Sequence, residues 1–594
     1  MKNPLRKALS LTMAAVTAMS MSVTAFADEP YNSYNYDTWD DAVPSQSAYM
    51  TVTTITGEQM KLERLRDPSD ELYVSESAPV TLADSRDMCI DDARKQLWVA
   101  DTKNNRLLQL NLDTYEIEGV YTGVSDGGSE SSFAGPQGVF VAESDELGGQ
   151  AIYIADTDNS RVVKAKVKDG RTLELVTEYT KPEDPLYTVN TFNPKKVLAD
   201  KAENVYTVVN AVNTGSVLFA RGGDFKGFYG ANRVNVTAAV IAQRIWRAIA
   251  SEAQLEGMTR NVPIEYANFD IDLDGFIYTV TEINTDTDSV KKLNPAGYNI
   301  WNNAKGNEYK FGDITGPMWD PIANKTHNIR LTDLDISSTG LINVLDFETG
   351  RVFQYDKECN LVCIFGTKTS TNDQRGAMAN PNAVETYGNK VYVLDGAKSD
   401  ITVFQETQFG KYIHNAFALY DEGRYVDAKD DWNEVIKRDG GYTWAYIGLG
   451  KAALNQEQYT KALKYFKTAY DQDDYDKAYK YAREAFLRDH FTAIIVIIVL
   501  LIALIIVRKV MKKKGMKLIK RKAKPILATA GPSIPPPAND IEETVDEAEA
   551  EVSETVEAVE DTADAVEEEV SEAAEEVTDA AEELTEETED KEGE

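Results

Sequence analysis

The residues whose types and spacing most suggest chemistry are the three carboxylates of Asp270-Ile271-Asp272-Leu273-Asp274-Gly275. Oxygen donors at alternate positions followed by glycine open a calcium-binding loop, which also needs a bidentate glutamate at its twelfth position. Thr281 stands there, and the segment aligns with Asp335-Ile336-Ser337-Ser338-Thr339-Gly340, a strand running into a turn. The strand-and-turn reading is preferred, which leaves Asp270, Asp272 and Asp274 as the candidate metal ligands and calcium as the candidate ion; no other cofactor is expected. His327, His414 and His490 have no partner at zinc-ligand spacing. The chain has no Gly-x-Ser-x-Gly elbow, phosphate-binding loop or dinucleotide fingerprint. Cys89, Cys359 and Cys363 are too few for a disulfide framework. On one extended strand Cys359 and Cys363 would lie about 13 Å apart, beyond bridging distance, so all three read as free thiols in strands. No catalytic residue is identified.

A second signal concerns contact rather than catalysis. Residues 221 to 263 carry six Lys/Arg against three acids inside an otherwise acidic region. Lys226, Phe228, Tyr229, Arg233, Trp246 and Arg247 would form a basic, aromatic patch for a glycan, an anionic wall polymer or a partner protein. Within this stretch, residues 237 to 255 place Ile241, Ile245, Ala248 and Ile249 on one helical face. A helix that simply caps one face of the larger fold is an equal alternative.

These residues need elements to position them, and the exported half repeats. Leu97-Trp98-Val99-Ala100-Asp101-Thr102-Lys103-Asn104-Asn105-Arg106-Leu107 recurs as Ile152-Tyr153-Ile154-Ala155-Asp156-Thr157-Asp158-Asn159-Ser160-Arg161-Val162. Weaker copies start at Val205, Ile277, Ile342 and Val391, and each reads as two apolar-alternating strands joined by a polar loop. Six units that cannot bury their faces alone imply radial packing as a β-propeller. The motif resembles NHL-repeat propellers. There Asp101, Asn104, Arg106, Asp156, Asn159 and Arg161 would be structural, tying together the loop between strands. Six-bladed propellers related to gluconolactonases hold a central divalent metal on Glu, Asn and Asp from several blades, which makes a metal-dependent lactonase the rival reading. The last unit lacks a fourth strand, whereas Tyr49 to Thr56 alternates as a strand with no repeat of its own and is expected to complete the sixth blade. From about Gln408 the period becomes helical. Tyr425, Ala428, Trp432 and Val435 return 34 residues later as Tyr459, Ala462, Phe466 and Ala469, with Leu449-Gly450 before the second set. This spacing resembles the tetratricopeptide repeat, and two repeats are few enough that they should pack on the propeller or serve as a stalk.

Charge gives the addresses. The net charge is −36, and residues 540 to 594 hold 27 acids and one lysine, so 27 − 1 = 26 of those negative charges lie in the last 55 residues. Residues 508 to 524 carry ten Lys/Arg and no acid. This segregation disfavours nucleic acid as a partner of the folded part. Three basic residues, an apolar run and Ala25-Phe26-Ala27 form a secretory signal peptide over 1–27. The uncharged run 491–507 is 17 residues, about 25 Å as a helix, at the short end of a membrane span. The basic 508–524 segment then sets a single-pass type I orientation and faces anionic lipid. The expected order is the signal peptide 1–27, an N-terminal segment 28–79 with its closing strand at about 49–56, and a propeller 80–405 with the insertion 221–263. Helices 408–488, the span 491–507, the basic segment 508–524, a Pro-rich linker 525–539 and an acidic low-complexity tail 540–594 follow. The tail has Val/Ala at heptad spacing but glutamate at most other positions, which favours disorder over a pairing helix. The fold class is therefore multidomain, an all-β six-bladed propeller followed by an α-helical segment. The functional expectation is a non-catalytic, membrane-anchored binding or scaffold protein for a protein or glycan partner at the cell surface. A receptor-like sensor acting through the tail is the further alternative.

Overall fold

The computed structural model describes residues 31, 33–230, 265–282, 289–301, 309, 311–313, 318–320, 325–327, 329–369, 374 and 376–513. The signal peptide, the helix expected at 237–255, Arg233, Trp246, Arg247, the linker and the acidic tail lie outside them.

Six sheets form a ring, and each begins with the strand that lines the centre. Blade 1 runs Asp87–Asp91, Gln96–Asp101, Arg106–Asn111 and Ile117–Tyr121. Blade 2 runs Pro136–Ser144, Gly149–Asp156, Arg161–Asp169 and Thr172–Thr180, and its outer strand pairs in parallel with Gly123–Asp126, the first arm of a hairpin. Blade 3 is Pro194–Ala199, Val205–Val209, Ser216–Phe219 and Phe225–Tyr229. Blade 4 shows three strands among the described residues, Asn268–Ile271, Ile277–Val280 and Val290–Leu293. Blade 5 is Leu331–Ile336, Ile342–Asp346, Arg351–Tyr355 and Leu361–Phe365. Blade 6 takes Pro381–Tyr387, Lys390–Asp395 and Asp400–Glu406, then adds Tyr49–Ile55 as its outer strand, antiparallel from Tyr49↔Glu406 to Ile55↔Ile401. The ring is thus closed by hydrogen bonds between the two ends of its own sequence.

Alternation along each strand sends apolar side chains to both faces of the blade, so every gap between blades becomes a separate apolar layer. Leu97 and Val99 meet Tyr392 and Leu394 between blades 1 and 6, and Trp98 and Leu107 meet Val139 and Ile154 between blades 1 and 2. The layer between blades 5 and 6 is larger because it continues into the helices. Val362, Phe365 and Phe404 share one core with Phe409, Ile413, Phe417 and Trp432.

The helices are α1 (Gln408–Asp421), α2 (Lys429–Arg438), α3 (Thr443–Asn455), α4 (Tyr459–Ala469), α5 (Gln472–Asp489) and α6 (Phe491–Lys513). The hydroxyl of Thr407 caps α1 by accepting from the Gly410 amide at 3.1 Å, and the Thr407 amide donates to the Ala48 carbonyl at 2.9 Å. The start of the helical segment is therefore tied to the strand that closes the propeller. Tyr442 adds a hydroxyl bond of 2.7 Å to the Val362 carbonyl of blade 5. Helix α3 approaches its neighbours through glycine. A Cβ on Gly448 would come within 2.1 Å of the Trp432 indole nitrogen, and one on Gly450 within 2.5 Å of the Phe466 ring.

The chain divides after Ala478, and the ring and the helices up to that point form one unit. In the second unit Phe491–Val510, 20 residues of mean hydropathy 3.2 with none of it buried, is long and apolar enough to cross a membrane. One expectation about the thiols changes. All three cysteines are free, but Cys359 lies in the turn between the last two strands of blade 5, at a φ of 69°, rather than in a strand. The Asp356 carboxylate organises that turn by accepting from the amides of Glu358 and Asn360, and this local bonding outweighs strand propensity.

Candidate functional site: the carboxylate-lined channel

The innermost strand of each blade is an edge strand, and its channel-side amides have no neighbour within their own sheet. In this ring, carboxylates satisfy several of them from the blade before. Asp87 of blade 1 accepts from the Val139 amide of blade 2 at 2.8 Å, and Asp333 of blade 5 accepts from Val384 of blade 6 at 2.7 Å. Asp270 of blade 4 accepts from Ile336 of blade 5 at 2.8 Å. Glu385 of blade 6 accepts from Ile90 of blade 1 at 3.2 Å, across the closure. Each is a staple from one blade to the next, and each also lines the channel.

The staples lie at two levels. At the first, the Lys196 ammonium bonds Asp87 and the Asn268 amide group donates to Asp333. Two residues further along the strands come Asp270, Asp335 and Glu385. Asp335 accepts from the Asn343 amide group at 3.3 Å and from the Thr386 hydroxyl. A cavity of about 400 Å³ opens here, with Asp91, Asp92, Glu143 and Asp272 at its rim. Arg94 bridges Asp91 at 2.8 Å and Glu143 at 2.5 Å.

Carboxylates outnumber ammonium groups in the channel, and Asp87, Asp333 and Asp335 are buried. Burial raises the Asp333 carboxyl to about 7 against the pull of Lys196. Burial likewise raises Asp335 to about 6, partly offset by the Thr386 and Asn343 hydrogen bonds. Burial, with repulsion from Asp335, pushes both Asp270 and Glu385 well above the carboxylate range. Burial alone would lower Lys196, but the carboxylates of Asp87 and Asp333 outweigh it and hold the ammonium charged. The crowded carboxyls thus disfavour being ionised together, and added positive charge beside them would favour their ionised form. Burial raises the Cys89 thiol in the same wall well above its ordinary value, which keeps it out of the reactive thiolate form.

The residues singled out in the sequence separate. Asp270 is in the channel wall with both oxygens engaged by backbone amides, Ile271 at 2.8 Å and Ile336 at 2.8 Å. Asp272 holds its own turn through the amides of Asp274 and Phe276, and Asp274 is exposed at the tip. The three do not converge. Among the described residues no group of three or more His, Cys, Asp or Glu is placed to hold a metal ion. Within the basic patch, Phe228 stacks on Tyr187 at 6.3 Å between ring centres. Tyr229 is buried with its hydroxyl on the Asn294 carbonyl at 2.6 Å, so of the three described members only Lys226 is exposed.

The repeat motif lies at the turns between second and third strands. Asp101 accepts from the Ala83 amide and the Ser85 hydroxyl on one oxygen, and from Asn104 and Arg106 on the other. Arg106 and Asn104 also reach the Thr81 carbonyl. Asp156, Asn159 and Arg161 repeat the arrangement on the Ser132–Ala134 segment. Asp87, Lys196, Asn268, Asp333, Asp335 and Glu385 belong to no motif legible in the sequence as a site. Their signal was polar residues two apart on strands whose other positions are apolar, as in Asn268-Phe269-Asp270-Ile271 and Asp333-Leu334-Asp335-Ile336.

No family model and no curated protein matches the chain. Solved structures with a similar course include virginiamycin B lyase from Staphylococcus aureus, at 10% identity and TM-score 0.31, covering 54% of this chain and 95% of that one. A Kuenenia stuttgartiensis hydrazine synthase gives 9% identity and TM-score 0.34, with coverages of 55% and 96%. A luciferin-regenerating enzyme gives 10% identity and TM-score 0.33, with coverages of 55% and 92%. The fold assignment rests on the strand order described above.

Proposed function

We propose that this chain is a membrane-anchored, extracytoplasmic binding protein whose channel mouth receives a basic side chain of a partner protein. The observation that carries the reading is the channel itself, a cavity of about 400 Å³ whose polar lining is mostly carboxyl groups. A cavity of that size takes one extended side chain; a cationic one would draw the buried carboxyls into their ionised form, which favours lysine or arginine over a neutral sugar, and the exposed Asp92 and Glu143 at the rim disfavour an anionic wall polymer. The third strand of blade 6 ends at Glu406 beside the Tyr387–Lys390 turn, the end of the blade at which the cavity opens, and α1 starts two residues later. Helices α1 to α4, read as tetratricopeptide-like, thereby offer a second surface on the same side. The apolar helix α6 and the basic residues that follow it supply the anchor, and the signal peptide supplies the exported location.

The test is surface crosslinking on intact cells followed by capture of the full-length protein, in parallel with the double variant Asp92→Asn/Glu143→Gln at the rim. Both side chains are exposed, so folding should be retained. The expected result is a protein crosslinked to the wild type and lost from the variant. Equal capture by both forms removes the channel mouth from the reading.

A further inference from the structure

We propose that a reversible hydrogen-bond relay, His414–Gln354–Asn343–Asp335, joins helix α1 to the channel wall, and that its direction reports the charge state of the channel. His414 projects from α1 with Nδ1 2.5 Å from Glu406 Oε1 and Nε2 2.6 Å from Gln354 Oε1. Gln354 Nε2 donates to Asn343 Oδ1 at 3.0 Å and to the Tyr49 hydroxyl at 3.1 Å. Asn343 Nδ2 donates to Thr386 Oγ1 at 2.7 Å and reaches Asp335 Oδ2 at 3.3 Å, where the Thr386 hydroxyl also donates. Along the relay itself His414 Nε2, Gln354 Nε2 and Asn343 Nδ2 each point their donor toward the channel. Both imidazole nitrogens face acceptors, so the network is satisfied by a doubly protonated His414 at one end and a carboxylate at the other.

The same side chains also satisfy the opposite arrangement. Carboxamide nitrogen and oxygen exchange places by a half-turn with almost no change of shape. A protonated Asp335 then donates to Asn343 Oδ1, Asn343 Nδ2 donates to Gln354 Oε1, and Gln354 Nε2 donates to His414 Nε2. His414 keeps Nδ1–H on Glu406 and becomes neutral. The Tyr49 and Thr386 hydroxyls rotate, and the Cys363 thiol, 3.3 Å from Gln354 Oε1 in the first arrangement, changes from donor to acceptor. The proton count balances, because one proton leaves His414 Nε2 and one is bound at Asp335. Gln354 and Asn343 are fully buried, so half-satisfied intermediates are costly and the pair behaves as two states.

The groups around each end set the balance. Asp335 faces the carboxylates of Asp92, Asp270 and Glu385, which favour its protonated form. His414 faces the Glu406 carboxylate, the Tyr49 ring and, through Gln354, the Cys363 thiol. A cation entering the channel stabilises the Asp335 carboxylate and draws the relay toward the channel, which places a charged, doubly bonded histidine at the root of the helices. The use made of the relay depends on the channel being the binding site, but the relay is tested without a ligand.

The full chain, labelled with ¹⁵N-histidine in detergent micelles, contains three histidines, His327, His414 and His490. In the wild type at neutral pH the His414 Nε2 signal is expected in the protonated position. In Asp335→Asn, whose amide donates where the carboxylate accepted, it should move to the unprotonated position, and in Asp335→Asn/Asn343→Leu it should no longer respond to residue 335. If Asp335→Asn does not fold, Thr386→Val, which removes a donor to the carboxylate, should move the signal the same way. An Nε2 signal unchanged by Asp335→Asn, or moved equally with Asn343 replaced, overturns the relay.

Discussion

At Asp101 all the hydrogen bonds of a buried carboxylate are internal, and its charge is matched by Arg106 at 2.7 Å with both side chains almost inaccessible. Removing one partner of such a pair leaves the other charged and dry. Asp101→Ala should therefore cost about 3–5 kcal/mol in chemical denaturation, and Asn104→Ala less, about 1.5–3 kcal/mol, since it removes one hydrogen bond to the carboxylate and one to a carbonyl but leaves the ion pair. Asp270 and Asp272 lead to a different expectation. Both Asp270 oxygens are committed to backbone amides, and those of Asp272 to two amides, the Tyr278 hydroxyl and the Lys292 ammonium, so millimolar calcium should leave the thermal midpoint unchanged; a rise of several degrees would restore the calcium reading. The channel carboxyls also fix a sign. Their folded-state values lie above those of the unfolded chain, so they bind protons on folding. The stability they contribute is complete below about pH 4 and is lost as pH rises through about 6 for Asp335 and about 7 for Asp333. Asp335→Asn should flatten the fall in stability between pH 4 and 6, by at most about 1.4 kcal/mol per pH unit; parallel wild-type and variant curves would assign the slope elsewhere.

Among the elements, the strand Tyr49–Ile55 does the most per residue. It completes blade 6, and the Ala48 carbonyl beside it receives the amide at the start of α1. Deleting residues 45 to 58 should open the ring and release α1 together, seen as one lowered melting transition and new protease cuts in both segments. If the propeller and helices stay folded and equally stable, the closure does not bear that load. The helices give a finer test. Gly448→Ala and Gly450→Ala each drive a methyl group into a fully buried aromatic ring, Trp432 or Phe466, and should cost about 1–3 kcal/mol each by denaturant melts. These elements were unequally legible in the sequence. Blades 1 and 2 stood out because Asp, Asn and Arg must recur at fixed spacing to hold their turns. The later blades keep the alternation but not the full motif: blade 5 retains Arg351 opposite Asp346, yet its guanidinium bonds Asp313 and the Tyr34 hydroxyl. Asp346 instead holds its turn with the Arg330 and Glu348 amides and the Thr349 hydroxyl, so their copies look weak although the strands are equivalent.

At the scale of the whole chain, the proposed orientation predicts which parts an impermeant thiol reagent reaches. Cys89 and Cys363 are buried, so they contribute little background. A cysteine at exposed Asp274 should be labelled on intact cells and one at Ala573 only after permeabilisation; the reverse pattern would invert the topology. Period, charge and hydropathy were enough to specify the ring of strands, the helices after it and the apolar segment, because each is a local pattern repeated along the chain. They also specified the arginine–aspartate turns, whose partners lie a few residues apart. The channel was decided only in three dimensions. Asp87, Lys196, Asn268, Asp333 and Glu385 come from five blades, spread over nearly 300 residues, and each becomes a channel residue because ring closure turns the first strand of every blade inward. Asp270 has a spacing that suits calcium, yet it serves as a staple to the next blade's backbone. An edge strand's unpaired amide is visible only once the neighbouring blade is in place, and so is the carboxylate that satisfies it.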